Sequence, residues 1–94
     1  MTYRVEVAAR ANRDLLRLYQ FIHAQDSAKA AAWFNGIENL VLSLDKHPDR
    51  GSVTPENKKL RHLLYRITYR VDQRARRVQV LHVRHGARVA FKSQ

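Results

Sequence analysis

The 94-residue sequence contains no cysteine, three glycines and two prolines. Without cysteine the chain can form neither a disulfide framework nor a thiolate metal site, so we expect it to work in a reducing compartment, the cytoplasm. The glycines, at Gly36, Gly51 and Gly86, are too dispersed for a glycine-rich phosphate-binding loop. No nucleotide cofactor is therefore expected, and nothing in the sequence indicates another cofactor.

Long apolar runs are also absent. The N-terminus, MTYRVEVAAR, mixes charged and apolar residues, unlike a signal peptide. Uncharged stretches such as Ala30 to Ile37 fall far short of the roughly 20 apolar residues that cross a membrane. We therefore expect a soluble chain without a membrane partner, folded as one domain over residues 1–94.

Acidic residues are scarce, since eight Asp and Glu face eighteen Lys and Arg and leave a formal net charge of +10. Residues 51–94 carry +9 of this charge, and residues 1–50 carry +1. Arginine clusters pair with phosphate and with carboxylate. The charge predicts an anionic partner, either nucleic acid or an acidic polypeptide; a merely solubilising surface is the alternative.

Apolar spacing predicts the first half of the fold. Tyr3, Val5 and Val7 alternate with more polar residues, which predicts a strand at about 2–8. Apolar residues then recur at three- and four-residue spacing, which predicts two antiparallel helices at about 9–25 and 28–46. Asp26-Ser27 offers N-cap chemistry for the second helix.

The second half predicts a loop and three strands. The loop begins at His47-Pro48 and runs to about Asn57, and the strands lie at 60–65, 66–72 and 77–85. No turn residue marks the boundary between the first two of these strands. The order β-α-α-β-β-β predicts a two-layer α+β domain, with both helices covering one face of an antiparallel sheet. Its other face is expected to be open and lined by arginines.

Hydrolytic metal or serine chemistry has no support in the sequence. The five histidines offer no helical His-x-x-x-His pair, so we expect no metal site. The serines lack a nucleophile-elbow pattern, and no small-molecule substrate is indicated. Trp33, Tyr65 and Tyr69 are interpreted as packing residues rather than as a stacking platform for bases.

Four motifs carry a family resemblance. They are the strand Tyr65-Arg66-Ile67-Thr68-Tyr69-Arg70-Val71, the turn His85-Gly86-Ala87-Arg88, the loop His47 to Gly51, and Asp14-Leu15 in the first helix. In this order and spacing they resemble the RelE/ParE toxins of type II toxin–antitoxin systems, over nearly the whole chain. The resemblance implies a growth-arresting toxin with a cognate antitoxin as its partner.

The resemblance implies two different activities. RelE-like members cut mRNA on the ribosome, whereas ParE-like members poison DNA gyrase without being nucleases. The lysines that precede the strand in RelE-like nucleases are only partly echoed by Lys58, Lys59 and Arg61, and no tyrosine follows Arg88. The leading hypothesis is a gyrase poison. A ribosome-dependent mRNA endonuclease, or a binding module without toxicity, stays an alternative.

The resemblance and the charge pattern also suggest functional residues. In a nuclease, Arg66 and Arg88 would stabilise the charge of the transition state, and His85, or else His82, would be the base. The residues predicted to bind the target are Arg61, Arg66, Arg84, Arg88 and Lys92, and those predicted to bind the antitoxin are Arg70 and Arg84. Arg66 is expected on the open face of the sheet, opposite Ile67 and Tyr69.

Overall fold

A computed structural model describes residues 2–64 and 66–84. The described elements are β1 (Arg4–Val7), α1 (Ala9–Phe21), α2 (Ala28–Leu42), a 3₁₀ turn (Ser43–Asp45), β2 (Ser52–Val53), β3 (Arg61–Leu63), β4 (Ile67–Asp72) and β5 (Arg77–Val83). The strands form one sheet in the order β1-β5-β4-β3-β2. The predicted α+β class, with two helices and a sheet, is confirmed.

The ends of the helices follow from local backbone chemistry. The Oγ of Ser27 accepts a hydrogen bond from the N–H of Ala30 at 3.1 Å, so the predicted N-cap of α2 is present. Helix α1 ends at Phe21, earlier than the predicted Gln25. His23 has a φ of 57°, a left-handed conformation that does not continue a right-handed helix.

The sheet is mixed rather than wholly antiparallel. Strands β3, β4 and β5 pair antiparallel in sequence order, as predicted. Strand β1 instead pairs parallel with β5, with Arg4 opposite Arg77 and Val7 opposite Val80. Alternating hydrophobicity predicts a strand but not its neighbour or direction, and no short turn ties β1 to another strand. The segment predicted as loop also contains β2, which pairs with β3.

The core lies between one face of the sheet and the two helices. Its most deeply buried large side chains are Leu18, Leu44, Ile67, Tyr69, Val78, Val80 and Val83. Val80 and Val83 are three residues apart and would point to opposite faces of a regular strand. A register shift resolves this, because Tyr69 pairs with Val80 while Thr68 pairs with His82, which leaves Leu81 as an extra residue.

Asp14 on α1 completes the hydrogen bonding of β5. The N–H of Arg84 points to the β4 side and donates to the carbonyl of Arg66, so the preceding N–H, of Val83, points to the other side. Strand β1 has already ended there, opposite Val80. The Oδ2 of Asp14 accepts the Val83 N–H at 2.9 Å, and the Asp14 residue is only 7% exposed. The carboxylate thus supplies the acceptor that a neighbouring strand would otherwise provide.

Replacing Asp14 therefore should destabilise the fold. Asp14→Ala leaves the buried N–H of Val83 without its acceptor, and we expect the free energy of unfolding to fall by about 1–3 kcal/mol. Asp14→Asn keeps a carbonyl acceptor and should cost less. Urea unfolding measures the change, with Glu38→Ala on the exposed face of α2 as the control. An Asp14→Ala variant as stable as Glu38→Ala would contradict the assignment.

Candidate functional site

The loop after α2 is fastened to the sheet by Tyr69. The buried Tyr69 hydroxyl donates to the carbonyl of Pro48 at 2.8 Å and accepts from the N–H of Gly51 at 2.9 Å. Burial raises the pKa of Tyr69 above its ordinary value. A Cβ on Gly51 would lie 2.7 Å from both the Tyr69 hydroxyl and the carbonyl oxygen of His62, so only glycine fits there. The loop motif and the strand motif therefore depend on each other.

Arg61 holds the same loop. Its Nη1 donates to the carbonyls of Asp49, at 3.2 Å, and of Gly51, at 2.6 Å. Arg61 pairs with Tyr69 across the β3–β4 ladder, so its side chain leaves the sheet on the side of the loop. The structure thus gives Arg61 a supporting contact within the chain, and its predicted contact with a target stays a prediction.

Arg66 lies in the turn before β4, not in the strand. Its guanidinium carbon lies 5.4 Å from the centroid of the Trp33 ring on α2, and its Nη1 donates to the carbonyl of Arg84 at 2.5 Å. The expectation that Arg66 points to the open face is therefore wrong. Strand parity does not apply to a residue in a turn, and this turn begins at Leu64, whose φ is 56°.

Arg66 and Arg84, which we call the arginine pair, meet where the β4–β5 ladder ends. The N–H of Arg84 donates to the carbonyl of Arg66 at 2.7 Å, and the Arg66 side chain donates to the carbonyl of Arg84. The two residues are thus joined by two hydrogen bonds. Burial, and then the positive charge of Arg84, lower the pKa of Arg66. Arg84 itself is exposed. A carboxylate or phosphate placed here would relieve the repulsion between the two cations.

The open face of the sheet is less basic than predicted. Its side chains, read from β1 to β4, include Arg4, Glu6, Arg77, Gln79, Arg70 and Asp72. The guanidinium of Arg77 lies 3.9 Å from Glu6 and 3.8 Å from Asp72, and Arg4 lies 3.1 Å from Glu6. Arg70 donates to the Oε1 of Gln79 at 2.8 Å. Arginines do line this face as expected, but two carboxylates offset part of their charge.

The two residues predicted to bind the antitoxin are far apart on the sheet: Arg70 lies in β4, and Arg84 directly follows β5. Arg70 borders a shallow depression of about 490 Å³ beside the β4–β5 turn. Its partner Gln79 precedes Arg84 by five residues, or about 16 Å of extended strand. A single segment that contacts both Arg70 and Arg84 has to run along the sheet.

Three of the predicted site residues, His85, Arg88 and Lys92, lie outside the described residues. Within residues 2–64 and 66–84, no three His, Asp or Glu side chains gather as they would around a metal ion. The helices of this part of the chain include none with the length and apolar character needed to cross a membrane.

Sequence reasoning missed two residues of the site. Trp33 was interpreted as a packing residue, and no sequence signal relates it to Arg66, which lies 33 positions away. Leu64 was assigned to a strand. The missing turn residue between the strands at 60–65 and 66–72 was the available signal. Many tight hairpin turns need one residue in the left-handed region, and without glycine or asparagine another residue has to adopt that conformation.

Comparison with known families agrees with this architecture. A family model described as the ParE toxin of the type II toxin–antitoxin system, parDE, matches residues 5–90. The matched range contains both helices and all five described strands, except for Arg4, the first residue of β1. No curated protein matches the chain.

The contact between Arg66 and Trp33 can be followed by fluorescence, because Trp33 is the only tryptophan. Arg66→Gln shortens the side chain and removes the guanidinium that lies over the indole, so we expect the emission of the folded protein to shift to longer wavelength as water reaches the ring. Arg70→Gln, on the open face, is the matched control and should leave the spectrum unchanged. Identical spectra for both variants would contradict the stacking.

Tyr69→Phe should loosen the loop. It leaves the Pro48 carbonyl and the Gly51 N–H without a partner, and we expect a loss of about 1–3 kcal/mol in the free energy of unfolding. Tyr19→Phe keeps its edge-on ring contact with Phe34 and serves as the control. Chemical denaturation measures both. A loss no larger than that of Tyr19→Phe would disprove the role of the hydroxyl.

The same phenol predicts a pH dependence. Because the pKa of Tyr69 is raised by folding, its contribution to stability is complete below about pH 10 and is lost as the pH rises through the folded-state value. The unfolded chain ionises first and is thereby favoured. Unfolding free energies measured between pH 9 and 12 should fall more steeply for the wild type than for Tyr69→Phe. Equal slopes would contradict this.

Proposed function

Because the chain belongs to the ParE toxin family of type II toxin–antitoxin systems, we propose that it is a single-domain cytoplasmic toxin that arrests growth by poisoning DNA gyrase. The family match over residues 5–90 is the observation that carries this proposal. A cognate antitoxin is the partner that the family implies. The alternative activity, mRNA cleavage on the ribosome, is the one against which the proposal is tested.

The contacts of Arg66 support binding rather than catalysis. Cleavage of RNA without a metal requires cations placed at the phosphate in the transition state. One face of the Arg66 guanidinium lies over Trp33, and its Nη1 is bonded to the carbonyl of Arg84. This arrangement suits a residue that fixes the turn and positions Arg84 at the surface. A gyrase poison needs such a surface and no chemical step.

We assign the target contact to the C-terminal end of β5 and the residues that follow it. Arg84 is exposed there, and Arg88 and Lys92 add two more cations along the chain. For the antitoxin we propose an acidic segment that runs along the sheet from Arg70 to Arg84. Such a segment would offset part of the +9 charge of residues 51–94.

Two assays on the purified chain test the proposed activity. Supercoiling of relaxed plasmid by gyrase should be inhibited in a dose-dependent manner, and mRNA in a cell-free translation reaction should stay intact. The co-purified antitoxin should reverse the inhibition when added back. Cleaved mRNA together with unimpaired supercoiling would overturn the proposal in favour of the endonuclease.

Growth arrest by two variants separates the alternatives within the cell. If binding is the mechanism, deletion of residues 88–94 should abolish growth arrest. Arg66→Ala should weaken it less than the deletion does, because it removes support for the turn but no chemical step. For an endonuclease, Arg66→Ala should instead lower the rate by a factor of about 100–1000. Thermal melts of both variants provide the control for folding. A harmless deletion with a detoxified Arg66→Ala would contradict the gyrase proposal.

A further inference from the structure

Leu64 occupies a position that neither folding nor solubility favours. Its φ of 56° lies in the left-handed region, which residues other than glycine, asparagine and aspartate rarely adopt. Its side chain is aliphatic, yet the residue is 62% exposed. Glycine would relieve the backbone, and a polar side chain would suit the solvent. Residues held in such conformations are concentrated at functional surfaces.

The described residues on either side of Leu64 are held by backbone contacts. The N–H of Arg66 donates to the carbonyl of Leu63 at 2.9 Å, and the flanking residues Leu63 and Ile67 pair across the ladder with both side chains in the core. The side chain of Arg66 is itself held by its stacking on Trp33 and by its hydrogen bond to the carbonyl of Arg84. The exposed leucine therefore lies close to residues that are held in place, at the same end of the sheet as the arginine pair.

We propose that Leu64 is an anchor residue for the protein target of this toxin, and that it enters an apolar pocket bordered by carboxylates that meet Arg84. The proposal rests on the proposed function, in which the chain acts by binding a protein. An aliphatic side chain gains little from a phosphate backbone, whereas protein interfaces centre on buried anchors surrounded by a polar rim. The arginine pair lies at the same end of the sheet as Leu64, and its positive charge favours a pocket with an acidic border.

Leu42 provides a matched comparison. It is 63% exposed, nearly the same as Leu64, but it is the last residue of α2 and has no left-handed backbone. If exposed leucines in general promoted toxicity, both positions would matter. The proposal predicts that only Leu64 does.

The experiment uses the full chain and three variants: Leu64→Gly, Leu64→Met and Leu42→Ala. Leu64→Gly removes the anchor and relieves the backbone, so we expect a melting temperature at or above that of the wild type together with a loss of growth arrest. The toxin concentration needed for half-maximal inhibition of supercoiling should rise at least about tenfold. Leu64→Met keeps an apolar side chain and Leu42→Ala leaves the turn intact, so both should stay within about twofold of the wild type.

Retention of the antitoxin complex by Leu64→Gly, measured by co-purification, is the further expected result. Full toxicity of Leu64→Gly would overturn the proposal. Full toxicity with loss of antitoxin capture would also overturn it and would assign Leu64 to the antitoxin interface instead. If the wild type arrests growth but leaves gyrase supercoiling unaffected, the proposed function fails, while a growth arrest that depends on Leu64 still supports a protein target.

Discussion

The arrangement of the surface depends on one buried hydroxyl group, that of Tyr69. The chain has to return from α2 to the edge of the sheet, and the loop that does so carries a carbonyl and an N–H that point inward. The phenol satisfies both at once, at Pro48 and Gly51. Gly51 in turn packs against the carbonyl of His62 and leads directly into β2. The position of β2 at the edge of the sheet therefore depends on this contact as well as on the pairing of β2 with β3.

Much of the positive charge serves the fold itself. Arg61 and Arg66 donate to backbone carbonyls, and Arg77 lies between Glu6 and Asp72. Hydrogen bonds from a charged donor are stronger than those between neutral groups, so arginine is well suited to hold a loop that lacks regular structure. The formal charge of the second half consequently overstates the charge offered to a partner. Exposed cations outside such contacts, such as Arg84, are better candidates for binding.

The fold could be predicted from the sequence where the information is local. Apolar spacing located both helices and four of the five strands, and Ser27 marked the start of α2. The direction of β1 depends on a non-local pairing with β5, which no local pattern encodes. Arg66 was misplaced because parity was counted through a residue that lies in a turn, and its stacking on Trp33 joins distant parts of the chain. The hydrophobic pattern of the sequence thus predicts neither strained backbone positions nor contacts between distant parts of the chain.

The features that oppose folding lie together at one end of the sheet. Leu64 holds an unfavourable backbone conformation, and Arg66 and Arg84 place two positive charges side by side. Each lowers the stability of the free chain, and proteins retain such local conflicts mainly at sites of function. An acidic partner that binds the folded state here relieves the repulsion and stabilises the fold by mass action. Binding of a partner at this end of the sheet, as proposed above, would therefore be thermodynamically linked to folding through the same few residues.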